Sequence, residues 1–184
     1  MLGAVLCGGR STRMGRDKAL VEVDGAAMAA RVAAALRDGG CAPVVAIGGD
    51  RAALAALGLA VVVDDHPGDG PLGGILTALG VAGEHEAVVV VSCDLPWLTG
   101  AVVRRVAAAR GDHEVAVATT DRREPLCAAW RRPAPAPLVE AFAAGERAVH
   151  RALELVDVVE VPVDRAALRN VNSPADLLGG HHGG

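Results

Sequence analysis

Aromatic residues are nearly missing from this sequence: 184 residues include no Tyr, one Phe and two Trp. So few rings leave few platforms on which nucleic-acid bases could stack. An excess of basic charge is also missing, since 18 Lys and Arg face 22 Asp and Glu for a net charge of -4. That balance speaks against the broad basic face of a nucleic-acid binder. Cysteine is sparse and scattered, at Cys7, Cys41, Cys93 and Cys127, without a C-x-x-C pair. The paired spacing of a structural zinc is absent, and the four read as reduced, buried thiols. No apolar run approaches the ~18 residues of a membrane span. Met1–Leu6 lacks the basic flank of a secretory signal. The chain therefore reads as cytoplasmic, with neither membrane nor nucleic acid among its partners.

What is present is aliphatic. Hydrophobic residues make up 52% of the chain, so disorder is excluded and the core must be built from Ala, Val and Leu. The length suits one domain, here expected over residues 1–178, with the Gly-His tail 179–184 disordered. Short β-branched runs at Leu2–Cys7, Pro43–Gly48, Ala60–Asp64, Ala87–Cys93 and Glu114–Thr119 predict strands. Ala-rich stretches at Ala26–Asp38, Arg51–Leu57, Gly74–Ala82 and Thr99–Arg110 predict helices, with Gly39-Gly40 as a stop and Thr99 as an N-cap. Val88-Val89-Val90-Val91 is apolar on both faces, as a central strand of a helix-covered parallel sheet requires. The alternation implies an α/β, doubly wound, mostly parallel sheet. In the second half, the turn at Asp121–Glu124 between Glu114–Thr119 and Leu126–Arg131 predicts an antiparallel hairpin at a sheet edge. Helices near Leu138–Ala143 and Ala148–Leu155 and a strand near Val158–Val163 follow.

The densest chemistry follows the first strand, in Cys7-Gly8-Gly9-Arg10-Ser11-Thr12-Arg13-Met14-Gly15-Arg16-Asp17-Lys18. Gly8, Gly9 and Gly15 let the backbone approach a ligand and offer N–H groups to phosphate oxygens. Arg10, Arg13, Arg16 and Lys18 concentrate positive charge in an otherwise acidic chain, which makes a polyphosphate the natural ligand. Neither a P-loop nor the G-x-G-x-x-G of a dinucleotide fold has this spacing. Asp94 follows the valine run and should emerge at the C-terminal edge of a central strand, where a carboxylate can hold Mg²⁺ bridging nucleotide phosphates. Asn170 and Asn172 fall on one face if their segment is extended. Asn-Val-Asn-Ser-Pro equally reads as a turn before a helix capped by Ser173, with Pro174 at its first position.

Leu6 to Lys18 resembles the L-A-G-G-x-S-x-R-M-G-x-D-K signature of Rossmann-like nucleotidyltransferases, with Cys7 in place of the usual Ala. Together with Gly70-Pro71-Leu72-Gly73-Gly74-Ile75, Cys93-Asp94-Leu95-Pro96, Gly145-Glu146-Arg147 and Asn170–Leu177, it is most similar to the molybdenum cofactor guanylyltransferases. The resemblance implies a Rossmann-like three-layer α/β/α sandwich with an antiparallel edge. It implies Mg²⁺-dependent transfer of GMP from GTP to a molybdopterin-type cofactor, with release of pyrophosphate. Partner proteins would be molybdenum-insertion proteins or molybdoenzymes. On this resemblance Leu6, Cys7, Gly8, Gly9, Lys18, Asp65 and Asp94 bind nucleotide, and Asp94 holds the metal. Lys18 takes the α-phosphate, Arg13 the β- and γ-phosphates, and Asp65 or the adjacent Asp64 reads guanine. Arg147, Asn170 and Asn172 form the acceptor side. The rival readings are cytidylyl transfer to the same cofactor, guanylyl transfer to a small phospho-acid, and a non-catalytic GTP-binding regulatory module.

Overall fold

A computed structural model describes residues 1–8, 17–173 and 176. Gly9, Arg13 and the other residues of 9–16, the expected helix entry at Pro174 and the 179–184 tail lie outside the described residues. Nine strands and six α-helices alternate along the described residues, and seven of the strands form one sheet.

The four strands β1 (Leu2–Leu6), β4 (Val44–Ile47), β5 (Ala60–Val62) and β6 (Ala87–Ser92) run parallel in the order β5-β4-β1-β6. Their in-register pairing, Leu6 with Ile47 on one side and with Ser92 on the other, brings the loops that follow them to a single edge. The direction of winding reverses at β1, with β4 on one side and β6 on the other, so the β1–β6 border is the switch point where such sheets open a crevice.

Alternation across the sheet makes two cores. Val5, Val89 and Val91 point to one face and pack with Val32 and Leu36 of α1 (Met28–Asp38) and Val103 and Val106 of α4 (Gly100–Ala109). Leu2, Ala4, Leu6, Val88 and Val90 point to the other. There they meet Leu72, Ile75 and Leu79 of α3 (Gly70–Gly80), Leu138 and Phe142 of α5 (Ala136–Ala143) and Val149 of α6 (Val149–Ala152). The three layers are those expected. The short α2 (Arg51–Ala56) contributes Leu54 to the first core and is capped by Asp50, whose carboxylate accepts from Ala52 and Ala53 N–H.

The helix signals are used as expected. Gly39 closes α1 and Gly40 follows at φ 92°, while Thr99 Oγ1 accepts from Val102 N–H. Gly39 has a second reason to be glycine, since a Cβ there would lie 2.3 Å from the Val103 side chain. α3 begins four residues before the expected Gly74, with Pro71 in its first turn. Gly73 and Gly74 belong to this helix rather than to a loop: a Cβ on Gly73 would lie 2.7 Å from His66 Cβ, and one on Gly74 3.2 Å from Leu6.

The second half extends the sheet. β7 (Val115–Thr119) and β8 (Arg123–Arg131) form the expected hairpin. It does not end the sheet, however: β8 is inserted antiparallel between β6 and β7, and β9 (Val158–Pro162) pairs parallel with β7 to make the outermost strand. β8 is fully buried at Cys127–Trp130, which is why it sits inside rather than at an edge. A second, two-stranded sheet of β2 (Glu22–Val23) and β3 (Ala26–Ala27) turns at Asp24-Gly25, both at positive φ. It replaces the start of the helix expected from Ala26, and Asp-Gly is the pair that such a tight hairpin demands.

Candidate active site

Four loops meet beyond the C-terminal ends of the parallel strands. Cys7 and Gly8 both donate their N–H groups to Ile47 O, at 3.0 and 3.1 Å, and Gly48 N–H donates to Val62 O. A Cβ on Gly48, which sits at φ 69°, would stand 3.1 Å from Gly8 Cα, so the second loop approaches the first this closely because it carries glycine there. Cys93 N–H donates to Leu6 O and carries the strand pairing one step past β6, directly before Asp94.

Lys18 enters from the far side of the first loop. It opens a 3-10 helix, Lys18–Leu20, whose N-cap Asp17 accepts from Ala19 N–H at 3.0 Å and, through its other oxygen, from Asp50 N–H at 3.3 Å. Ala19 is wholly buried and pins this turn to the core. The Lys18 ammonium then donates to Asp94 Oδ2 and to Asn172 Oδ1, each at 2.7 Å. Lys18 and Asp94 are shielded, with side chains 19% and 17% exposed, so their attraction is screened less than that of a surface pair.

Asn172 is delivered by the last described segment. Val171, buried between Val23 and Met28, donates its N–H to Asp94 O at 3.0 Å, and Asn170 and Asn172 flank it on the exposed side. The alternation expected for the two amides is therefore present. Asp176 accepts from Asn172 and Ser173 N–H, which holds its carboxyl below the usual range and keeps it charged. Arg169 lies 3.6 Å over the Trp97 ring, tying the same segment to the loop after Asp94.

The two aspartates beyond β5 divide their work. Asp64 Oδ2 lies 3.7 Å from where a Gly8 Cβ would stand, while Oδ1 accepts from Thr77 Oγ1 and His66 N–H, both at 3.0 Å. Asp65 donates its N–H to Thr77 Oγ1 at 3.1 Å and is exposed. A buried threonine of α3 thus fixes both residues at the mouth of the first loop.

Arg147 stands apart from the Lys18 cluster. Its guanidinium donates to Phe142 O and Glu146 O, lies 4.1 Å over the Phe142 ring and pairs with Asp69 at 3.4 Å. The N–H groups of Ala148 and Arg147 hold the neighbouring Glu146 carboxyl below its usual range. An apolar cavity of ≈ 580 Å³ between α3 and α5, lined by His66, Leu76, Leu79, Val139 and Phe142 among others, borders this corner rather than the Lys18 cluster.

The donors near Asp94 suit a hard cation. The ammonium of Lys18 already stands between a carboxylate oxygen and an amide oxygen, ligand types that Mg²⁺ takes singly or in pairs alongside substrate phosphates. Among the described residues no group of three or more His, Cys, Asp or Glu forms a closed metal cage. Beneath Asp94, the hydrogen bond of the Cys93 thiol to Cys7 and burial push that thiol well above its ordinary value, so it stays neutral. Sequence reasoning missed Asp17 and Asp176 as braces of Lys18 and Asn172. Their signals were an Asp one residue before a short helix and an Asp three residues beyond Ser173.

The sequence profile of the MobA-like NTP transferase domain matches residues 3–160. The molybdenum cofactor guanylyltransferase of Rhodobacter capsulatus is 38% identical over 183 residues, 95% of this chain and 92% of that protein. That of Xanthomonas euvesicatoria pv. vesicatoria is 34% identical over 177 residues, covering 94% and 89%. Among solved structures, molybdopterin-guanine dinucleotide biosynthesis protein A from Archaeoglobus fulgidus superposes with a TM-score of 0.77 at 26% identity, over 97% of this chain and 95% of that one.

Proposed function

The chain belongs to the MobA-like NTP transferase family, and from that premise we propose that it transfers GMP from GTP to a molybdopterin-type cofactor, releasing pyrophosphate, with Mg²⁺ as its metal. The single observation that carries this reading is the Lys18 ammonium placed against Asp94 and Asn172 at the switch point of the sheet. Phosphoryl chemistry needs positioning and charge neutralisation rather than a covalent nucleophile. In the proposed reaction an oxygen of the acceptor's terminal phosphate bonds to the GTP α-phosphorus, the bond from that phosphorus to the bridging oxygen breaks, and pyrophosphate leaves.

Lys18 neutralises charge building on the α-phosphate, and Arg13 holds the β- and γ-phosphates. Asp94, with Asn172 beside it, holds the divalent cation, which when bound supplies further charge neutralisation to the phosphates. Leu6, Cys7, Gly8 and Gly9 form the nucleotide cradle. Asp65, exposed and held by its backbone bond to Thr77, reads the guanine N1–H and N2–H groups with its carboxylate, and the oxygen of Asp64 facing Gly8 lies at the same mouth. Asn170 and Asn172 face the acceptor phosphate. Arg147 bounds the acceptor side by fixing the loop that begins α3.

Incubating the protein with Mg²⁺, a molybdopterin-type acceptor and either GTP or CTP, then identifying the product by mass, tests the proposal. A guanine dinucleotide with pyrophosphate is expected from GTP. Product from CTP alone would overturn the guanylyl assignment, and GTP binding without any product would favour a regulatory module.

A further inference from the structure

The cation between Asp94 and Asn172 is Lys18 itself. Its Nζ lies 2.7 Å from an oxygen of each, and both oxygens are donors that a divalent metal would use. A metal ion bonded to the same carboxylate would stand against the ammonium at short range, in a pocket where the lysine and aspartate are largely withdrawn from water. Like charges this close, and weakly screened, exclude one another.

The backbones that carry the two oxygens do not depend on Lys18 for their places. Asp94 is fixed through its carbonyl by Val171 N–H, and Asn172 through its own N–H by Asp176. The backbone of Lys18 is likewise held by the Asp17 cap and the buried Ala19, but its four-carbon stem is free to swing the charge elsewhere. The pocket thus has two donors on anchored backbones and one movable cation.

We propose that Lys18 is a charge lock on the metal site: in the nucleotide-free protein its ammonium fills the cation position at Asp94 and Asn172, and the phosphates of an arriving nucleotide draw it out, so that metal binds together with nucleotide and not before it. The inference rests on the nucleotidyl-transfer reading of this site and adds an order of events to it. The lock keeps a free divalent ion from occupying Asp94 and opposing the lysine when the nucleotide enters. It makes the lysine that neutralises the α-phosphate and the carboxylate that holds the metal available in the same movement.

The test is Mn²⁺ binding to the full chain without nucleotide or acceptor, read by electron paramagnetic resonance of the free ion. Lys18→Gln is expected to bind Mn²⁺ about tenfold more tightly than wild type, a difference of about 1.4 kcal/mol. Lys18→Arg, which keeps the charge, should remain near wild type. Lys18→Met keeps the stem without the charge and serves if the Gln variant fails to fold. Adding Asp94→Asn to the uncharged variant should abolish the gain. Equal Mn²⁺ affinity in wild type and the uncharged variants, or a gain that survives Asp94→Asn, would overturn the lock. Turnover plays no part in this readout: a protein that makes no dinucleotide but shows the gain would refute the proposed function and leave the lock standing.

Discussion

The Lys18 cluster and the Arg147 corner each set a cation against a carboxylate, yet they are built for different ends. Lys18 reaches across 76 residues to Asp94 and 154 to Asn172, with both contacts at 2.7 Å and the Lys18 and Asp94 side chains mostly shielded. Its partners are side-chain oxygens that can be exchanged for phosphate or metal. Arg147 pairs with Asp69 at 3.4 Å while 39% exposed, and its other bonds go to main-chain carbonyls of its own neighbourhood. Those carbonyls have no alternative role, so the guanidinium acts as a strut. A cation held by main-chain carbonyls, a neighbouring ring and one half-exposed carboxylate is spent on structure; one shared between a shielded carboxylate and a neutral amide oxygen is available for chemistry.

The largest effect should come from Lys18→Met. Turnover of GTP in the presence of acceptor, followed as pyrophosphate release, should fall about 100- to 1,000-fold, the scale of losing one preorganised charge at a transition state. Arg147→Met should leave turnover within about threefold of wild type. It should cost about 1–2 kcal/mol in urea unfolding, from one stacked cation and its carbonyl bonds. A comparable loss of turnover in both variants would erase the distinction between the two regions.

Alkaline unfolding separates the site from the core beneath it. Burial pushes the Cys41 thiol up to about 11 and, with the nearby Glu124 charge adding to burial, the Cys127 thiol up to about 12. The unfolded chain releases these protons near pH 9, before the folded chain does, so their stabilisation is complete below pH 9 and declines from there to about pH 12. Cys127→Ala should flatten part of that decline in urea midpoints; an unchanged slope would mean the thiol does not carry it. The smallest effect is expected from Cys7→Ala. The replacement fits the same cradle, and stability should change by less than about 1.5 kcal/mol with turnover near wild type. A tenfold loss would give the Cys7 thiol a role in the nucleotide loop.

Much of this was legible in the residues alone because it rests on local pattern. Four valines in a row marked β6 as central, and the residue emerging after it, Asp94, landed at the working edge. The early start of α3 was hidden because Gly70-Pro71 reads as a loop; the glycines behind it are chosen for contact with His66 and Leu6, neighbours that only the fold supplies. Strand order escaped for the same reason. Whether β8 lies inside the sheet or at its edge depends on β9 arriving from 27 residues beyond the end of β8, and no local period encodes that. The bond from Lys18 to Asn172 joins opposite ends of the chain, so each residue could be singled out by its motif but not their contact. The Asp24-Gly25 turn, in contrast, carried a strong local signal that the adjoining alanines obscured.

The most direct measurement is Asp94→Asn, with GTP affinity and turnover determined on the same preparation. If the carboxylate beside Lys18 belongs to the reacting centre, turnover should fall at least about 100-fold while GTP affinity stays within about threefold. Equal losses of affinity and turnover, or turnover left near wild type, would contradict that assignment and reduce the Lys18–Asp94 pair to a brace between two loops.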